Sequence, residues 1–107
     1  MQLSIRYSSG EICFLLTGEL DEHASARLRR ECDEMIDAYA AATSAVFDLR
    51  GVTFMDSTGI GFLIGRYKKC ARYSMPMYIS AVSAQADRIL SMSGVYGLIP
   101  KVERRSV

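Results

Sequence analysis

Residues 44–61 read Ser44-Ala45-Val46-Phe47-Asp48-Leu49-Arg50-Gly51-Val52-Thr53-Phe54-Met55-Asp56-Ser57-Thr58-Gly59-Ile60-Gly61, and their reading decides the fold class. Ser44 to Leu49 sets Val46 and Phe47 side by side within a short apolar run, the pattern of a strand buried on both faces. Arg50 to Asp56 reads as a connection. A helix is predicted from Ser57, with Ile60, Leu63, Ile64 and Tyr67 on one side and Arg66, Lys68 and Lys69 beyond; Ser74-Met75-Pro76 ends it. A buried strand feeding a helix is half of a parallel crossover.

The flanks repeat that unit. Upstream, Leu3 to Tyr7 and Glu11 to Thr17 surround the turn signal Ser8-Ser9-Gly10 and read as a β-hairpin. Gly18-Glu19-Leu20-Asp21 breaks the strand pattern. A helix then starts with Asp21 as cap and Glu22 in the first turn, and Ala24, Leu28, Cys32, Met35, Ile36 and Tyr39 recur at helical spacing. Downstream, Met77 to Val82 is a strand. Ser83 to Met92 is a third helix, with Ser83 as cap and Ser93-Gly94 as its stop. Leu98 to Val102 is an edge strand, since Pro100 lacks a ladder donor. The polar stretch Glu103 to Val107 reads as a loose tail. Strands alternating with helices imply parallel crossovers and a layered α/β fold in one domain spanning 1–107.

Composition narrows the function. With 107 residues, 50% of them hydrophobic and 23% charged, the chain has ordinary globular usage and room for one core. Thirteen basic against twelve acidic side chains leave a formal charge of +1, far from the basic excess that phosphate-backbone binding requires. The three cysteines, Cys13, Cys32 and Cys70, form no C-x-x-C pair, and His23 is the sole histidine, so no metal site and no disulfide framework is expected. The start of the chain lacks the apolar stretch of a signal peptide, and no run is long enough to span a bilayer. A reducing cytoplasm fits best.

The chemistry concentrates where the central strand meets its helix. Asp56 can cap that helix, which sets Ser57 at the first helical position, near unpaired N–H groups and the positive end of the dipole. Gly59, Gly61 and Gly65 strip the helix of side chains at about 1 kcal/mol of propensity each, which implies a close approach that offsets the loss. Other readings find no second residue in place. No glycine precedes a lysine as a Walker loop requires. Asp56-Ser57-Thr58-Gly59 inserts one residue too many for an aspartic protease signature. A hydrolase triad of Ser57, His23 and Asp21 lacks the G-x-S-x-G elbow. Gly61-x-x-x-Gly65 is followed at once by Arg66, Lys68 and Lys69, unlike a membrane dimer motif.

Phe54-Met55-Asp56-Ser57-Thr58-Gly59-Ile60-Gly61, continued by Gly65-Arg66-Tyr67-Lys68, resembles the anti-sigma factor antagonists of the sulphate transporter and anti-sigma factor antagonist (STAS) domain family, the sporulation antagonists acting on sigma factor F above all. Leu16-Thr17-Gly18-Glu19-Leu20-Asp21, Phe47-Asp48-Leu49 and Met92-Ser93-Gly94 support the resemblance, which covers residues 2–102. It implies a mixed sheet with helices mainly on one side and no catalysis of its own. It also implies an anti-sigma factor partner that is an ATP-dependent serine kinase, and a serine phosphatase that resets the protein. The phosphoacceptor carried over is Ser57, in an environment of Asp21, Asp56 and Thr58. Thr58 stands where a second serine is common and is a rival acceptor. Gly59, Ile60, Gly61 and Arg66 are expected to face the partner from their helix positions. Many relatives add a terminal helix beyond the position of Val102. No cofactor, metal, nucleic acid or membrane is implied. A small-ligand-binding or transporter-associated module of the same fold, or a small serine hydrolase, are the alternatives.

Overall fold

A computed structural model describes residues 1–103. Strands β1 (Gln2–Ser8) and β2 (Glu11–Leu20) form the hairpin, followed by α1 (Glu22–Ala38), β3 (Ser44–Met55), α2 (Ser57–Ala71), β4 (Met77–Val82), α3 (Ala84–Ser93) and a two-residue β5 (Lys101–Val102). The five strands lie in sequence order, β1 antiparallel to β2 and every later pair parallel. The hairpin closes through Ser9 (φ +52°) and Gly10 (φ +79°), two left-handed residues as a tight primed turn requires.

Alternation along the strands sends Ile12, Phe14 and Leu16 of β2, Phe47 and Leu49 of β3, and Met77 and Ile79 of β4 into one core. Leu28, Cys32 and Ile36 of α1, Phe62 and Leu63 of α2, and Ala86 and Leu90 of α3 cover it. Phe14 stacks on Phe47 with ring centroids 4.4 Å apart, and Phe62 meets Phe47 edge-on at 6.2 Å, so aromatic contacts join both inner strands to the middle helix. The opposite sheet face carries Arg6, Cys13, Leu15, Asp48 and Arg50 along a depression of about 760 Å³. The expectation of helices on one side of a small mixed sheet therefore holds.

Three element limits differ from the sequence reading. β2 does not break at Gly18, and β3 runs on from Leu49 to Met55 instead of entering a loop. The two strands stay paired across register shifts between Leu15 and Thr17 and between Gly18 and Glu19. Glycine makes this feasible: Gly18 sits at φ +117°, and a Cβ on Gly51 would come within 2.8 Å of the Thr17 hydroxyl. The edge strand shrinks to Lys101–Val102. Gly94, left-handed at φ +78°, ends α3 and leads into a single 3₁₀ turn at Val95–Gly97, where Ile99 donates its N–H to the Val95 carbonyl at 2.8 Å. Pro100 still takes an edge role, its carbonyl accepting from the Ile79 amide at 2.9 Å. Of the expected loose tail, Glu103 is exposed, and residues 104–107 lie outside the described residues.

Cys32 and Cys70 are wholly buried. Burial pushes the Cys32 thiol up to about 12 and the Cys70 thiol up to about 11. In the native protein at pH 8, an aromatic disulfide reagent should modify at most one of the three thiols; all three should react in denaturant. Two or more fast native thiols would contradict this core.

Candidate functional site

Leu20 and Met55 are the last paired residues of β2 and β3, and an aspartate follows each. Asp21 caps α1, its Oδ1 accepting from the Ala24 amide at 2.9 Å. Asp56 caps α2, its Oδ1 accepting from the Thr58 amide at 3.0 Å. Parallel neighbours lie about 4.8 Å apart, so the strand ends set two carboxylates beside one another at the heads of two helices. Both caps have extended backbone, and each faces the positive end of its own helix dipole.

Between these carboxylates and the first turn of α2 stand two hydroxyls with different surroundings. Ser57 is exposed, and its side chain makes no hydrogen bond among the described residues. Thr58 is half-buried, and its Oγ1 donates to Asp56 Oδ1. That hydroxyl, aided by the amides of Thr58 and Gly59, holds the Asp56 carboxyl below the usual carboxylate range. Thr58 also lines a groove of about 230 Å³ between α1 and α2, with Glu22, Ser25, Arg29, Phe62 and Arg66. Of the expected group, Thr58 bonds to Asp56 and Ser57 lies between them in sequence, while Asp21 stands at the neighbouring strand end and bonds to Ala24. His23 is exposed and bonds to neither Ser57 nor Asp21, so the residues of the imagined hydrolase triad are not joined.

Two residues expected to face a partner point inward instead. A Cβ on Gly59 would meet Met55 Cγ at 2.6 Å and Leu20 Cδ2 at 3.3 Å, so this glycine lets α2 settle on the ends of β2 and β3. Arg66 is only 5% exposed. Its Nε lies 2.7 Å from Asp33 Oδ1 on α1, and its guanidinium sits 5.2 Å from the centre of the Phe62 ring. The physical reason is compensation: a carboxylate across the helix interface and an aromatic face replace water around the charge. The buried stripe of α2 is Gly59, Phe62, Leu63, Arg66 and Cys70, turned from the Ile60–Leu63–Ile64–Tyr67 face that periodicity suggested.

Ile60 is half-buried and Gly61 exposed. Among the described residues nothing lies within 4 Å of a Cβ built on Gly61 or Gly65, so no contact between them explains these two glycines. Phe54, two residues before the cap, is 42% exposed. Sequence reasoning placed it in the connection Arg50 to Asp56 and gave it no separate role, whereas it lies in β3. It also passed over Gln85 of α3, whose amide holds the Met55 backbone, a contact with no local signal. Among the described residues, no group of three or more His, Cys, Asp or Glu is placed to hold a metal, and no helix is long and apolar enough to cross a membrane.

Comparison with known proteins matches residues 2–106 to the STAS domain family. The chain is 33% identical over 100 residues to an anti-sigma F factor antagonist of Paenibacillus polymyxa, covering 94% of this chain and 85% of the relative. It superposes on the unphosphorylated anti-sigma factor antagonist SpoIIAA with a TM-score of 0.83 at 21% identity, over 98% and 90% of the two chains. The phosphorylated form of the Bacillus cell fate determinant SpoIIAA gives 0.73 at 20% identity, over 98% and 93%.

Two measurements probe the site's construction. Gly59→Ala should destabilise the fold because the Cβ meets Met55, whereas Gly61→Ala and Gly65→Ala should each stabilise it by roughly 0.5–1 kcal/mol; urea unfolding reads the signs. Removal of the cap in Asp56→Ala should cost about 1 kcal/mol at pH 7. Because the folded carboxyl titrates below its unfolded value, the Asp56 contribution is complete above about pH 5 and fades as pH falls through the folded pKa. The difference between wild type and Asp56→Ala should therefore shrink in acid; a constant difference down to pH 2 would refute the cap assignment.

Proposed function

The chain belongs to the STAS domain family, and on that premise we propose that it is an anti-sigma factor antagonist switched by phosphorylation of Ser57. In this reading the unmodified protein binds an anti-sigma factor and frees its sigma factor. The anti-sigma factor is also an ATP-dependent serine kinase, and transfer of the γ-phosphoryl group to Ser57 ends binding until a serine phosphatase removes it. The protein acts in the cytoplasm, where its cysteines stay reduced.

One observation carries the reading: at the head of α2 the Ser57 hydroxyl is exposed and unengaged, while the Thr58 hydroxyl is tied to the cap carboxylate. A kinase that phosphorylated Thr58 would first have to break that bond and so loosen the cap. Ser57 needs no such rearrangement, which favours it over its neighbour. The docking surface in this reading is the outer side of the same helix start: Ser57, Ile60, Gly61 and the exposed Phe54. Gly61 forgoes about 1 kcal/mol of helix propensity with no internal cause, as expected where another backbone approaches. Gly59 and Arg66 support this surface from beneath.

Phosphorylation adds a charge of about −1.5 to −2. Within the free chain that charge is tolerated, because the helix dipole and free N–H groups favour an anion at the first helical position. At the interface the neighbouring carboxylates oppose it. A single carboxylate about 6 Å from a dianion repels it by roughly 1.4 kcal/mol in water and about 5 kcal/mol at an effective dielectric near 20. Docking dries the site and moves the repulsion toward the larger figure; the difference from the free protein, up to about 4 kcal/mol, is a loss of up to roughly a thousandfold in affinity.

After incubation with the cognate anti-sigma factor and ATP, mass spectrometry should find one phosphate on Ser57. Ser57→Ala should take none yet still bind, while Ser57→Asp should bind at least tenfold more weakly at a melting temperature close to wild type. Labelling that persists in Ser57→Ala would move the acceptor to Thr58. A large stability loss in Ser57→Asp would contradict an interface effect.

A further inference from the structure

We propose that Gln85 is a positioning residue for phosphoryl transfer to Ser57; this rests on the phosphorylation reading above. β4 accompanies β3 only as far as the Leu49–Val82 pair. From Gly51 to Met55, β3 pairs with β2 alone among the described residues. At Met55 one side chain stands in for a second strand neighbour. The Met55 N–H donates to Gln85 Oε1 at 3.0 Å, and Gln85 Nε2 donates to the Met55 carbonyl at 3.0 Å. A single carboxamide thus reproduces the donor and acceptor that a sixth stretch of strand would have offered.

The fold supplies this amide deliberately. A register shift between Asp48 and Leu49 accompanies Ala81 in the left-handed region at φ +52°, an uncommon conformation for a residue with a Cβ. The chain leaves the sheet there, Ser83 caps α3, and Gln85 falls in the first turn of α3 against the end of β3.

Met55 links this clamp to the acceptor. It immediately precedes the cap Asp56, its side chain lies beneath Gly59 in the first turn of α2, and its strand partner is Leu20 before the other cap. With its backbone held on both edges, Met55 fixes the height and angle at which Asp56, Ser57 and Thr58 leave the sheet. In-line transfer needs the Ser57 oxygen placed against the γ-phosphorus, and a displacement of about 1 Å costs on the order of a hundredfold in rate. Docking draws on a wider surface and tolerates such a shift.

The test compares wild type with Gln85→Met, which keeps the length and loses the amide, and with Gln85→Glu, a milder cut that keeps the acceptor for the Met55 N–H. Ser93→Ala is the control, since it loosens the far end of α3, where Ser93 Oγ accepts from the Val95 N–H at 3.2 Å, without touching Gln85 or Met55. Steady-state phosphorylation by the cognate anti-sigma factor with ATP, and hydrogen exchange of the Thr58 and Gly59 amides, are the readouts. Gln85→Met should lower kcat roughly 10–100-fold with KM changed by less than about threefold, and should speed exchange at both amides at least about tenfold. Gln85→Glu should fall between it and wild type. Ser93→Ala should keep kcat within about twofold of wild type.

Wild-type kcat in both Gln85 variants would overturn the proposal, as would an equal loss in Ser93→Ala at matched melting temperature. Unchanged exchange in Gln85→Met would remove the clamp alone. A wild-type chain that accepts no phosphate on Ser57 would instead bring down the phosphorylation reading, and this role with it.

Discussion

The parallel pairing of β2 and β3 through to Leu20 and Met55 is the constraint on which the rest depends. Had either strand ended at its glycine, the two aspartates that follow would have capped their helices at different levels. Because both strands persist through their bulges, the helices begin together, and their dipoles converge on one small area. The bulges are therefore functional geometry. Gly18 and Gly51 weaken strand propensity locally, yet they permit the close backbone approach that carries both strands to a common end.

The second constraint holds α2 against α1. Arg66 and Asp33 meet at 2.7 Å, and one turn further along Lys69 reaches Asp37 at 2.9 Å, where Tyr73 also donates to that carboxylate. The outer pair is exposed and worth little by itself. The inner pair is different in kind. A guanidinium drawn out of water relies on Asp33 together with the Phe62 carbonyl and ring, so a slip of α2 along α1 would cost it the carboxylate. Apolar contacts alone tolerate small slips. The ion pair fixes the register of the helix that carries Ser57, and the Phe14–Phe47–Phe62 contacts fix its distance from the sheet.

What was legible in the sequence was what local chemistry controls. The hairpin turn, the three helices and the capping residues Asp21, Asp56 and Ser83 all announce themselves through neighbours a few positions away. So did Ser57, since its place follows from the cap before it. The errors share a different cause. Gly18 and Arg50–Met55 read as breaks because their pairing partner lies some 30 positions distant. Arg66 read as a surface charge because Asp33 is 33 residues upstream. Gly59 read as an outward gap because the side chain filling it, Met55, belongs to the preceding strand. Gln85 carries no pattern at all: a glutamine in a first helical turn is ordinary until a strand edge is seen beside it. Non-local compensation is invisible to periodicity.

These pieces explain why such a switch can be confined to one residue. A regulator that had to refold on modification would need two competing packings of nearly equal stability, and this core has none evident: its aromatic stack, buried ion pair and strand register all agree on one arrangement. Phosphate at the first position of a well-capped helix meets free N–H groups and a favourable dipole, so the fold has no reason to yield. The same phosphate meets Asp21 and Asp56 only weakly while water surrounds all three groups. Removing that water is what a partner must do to dock. The electrostatic cost is therefore small in the free protein and large in the complex, and a rigid scaffold channels the whole difference into affinity.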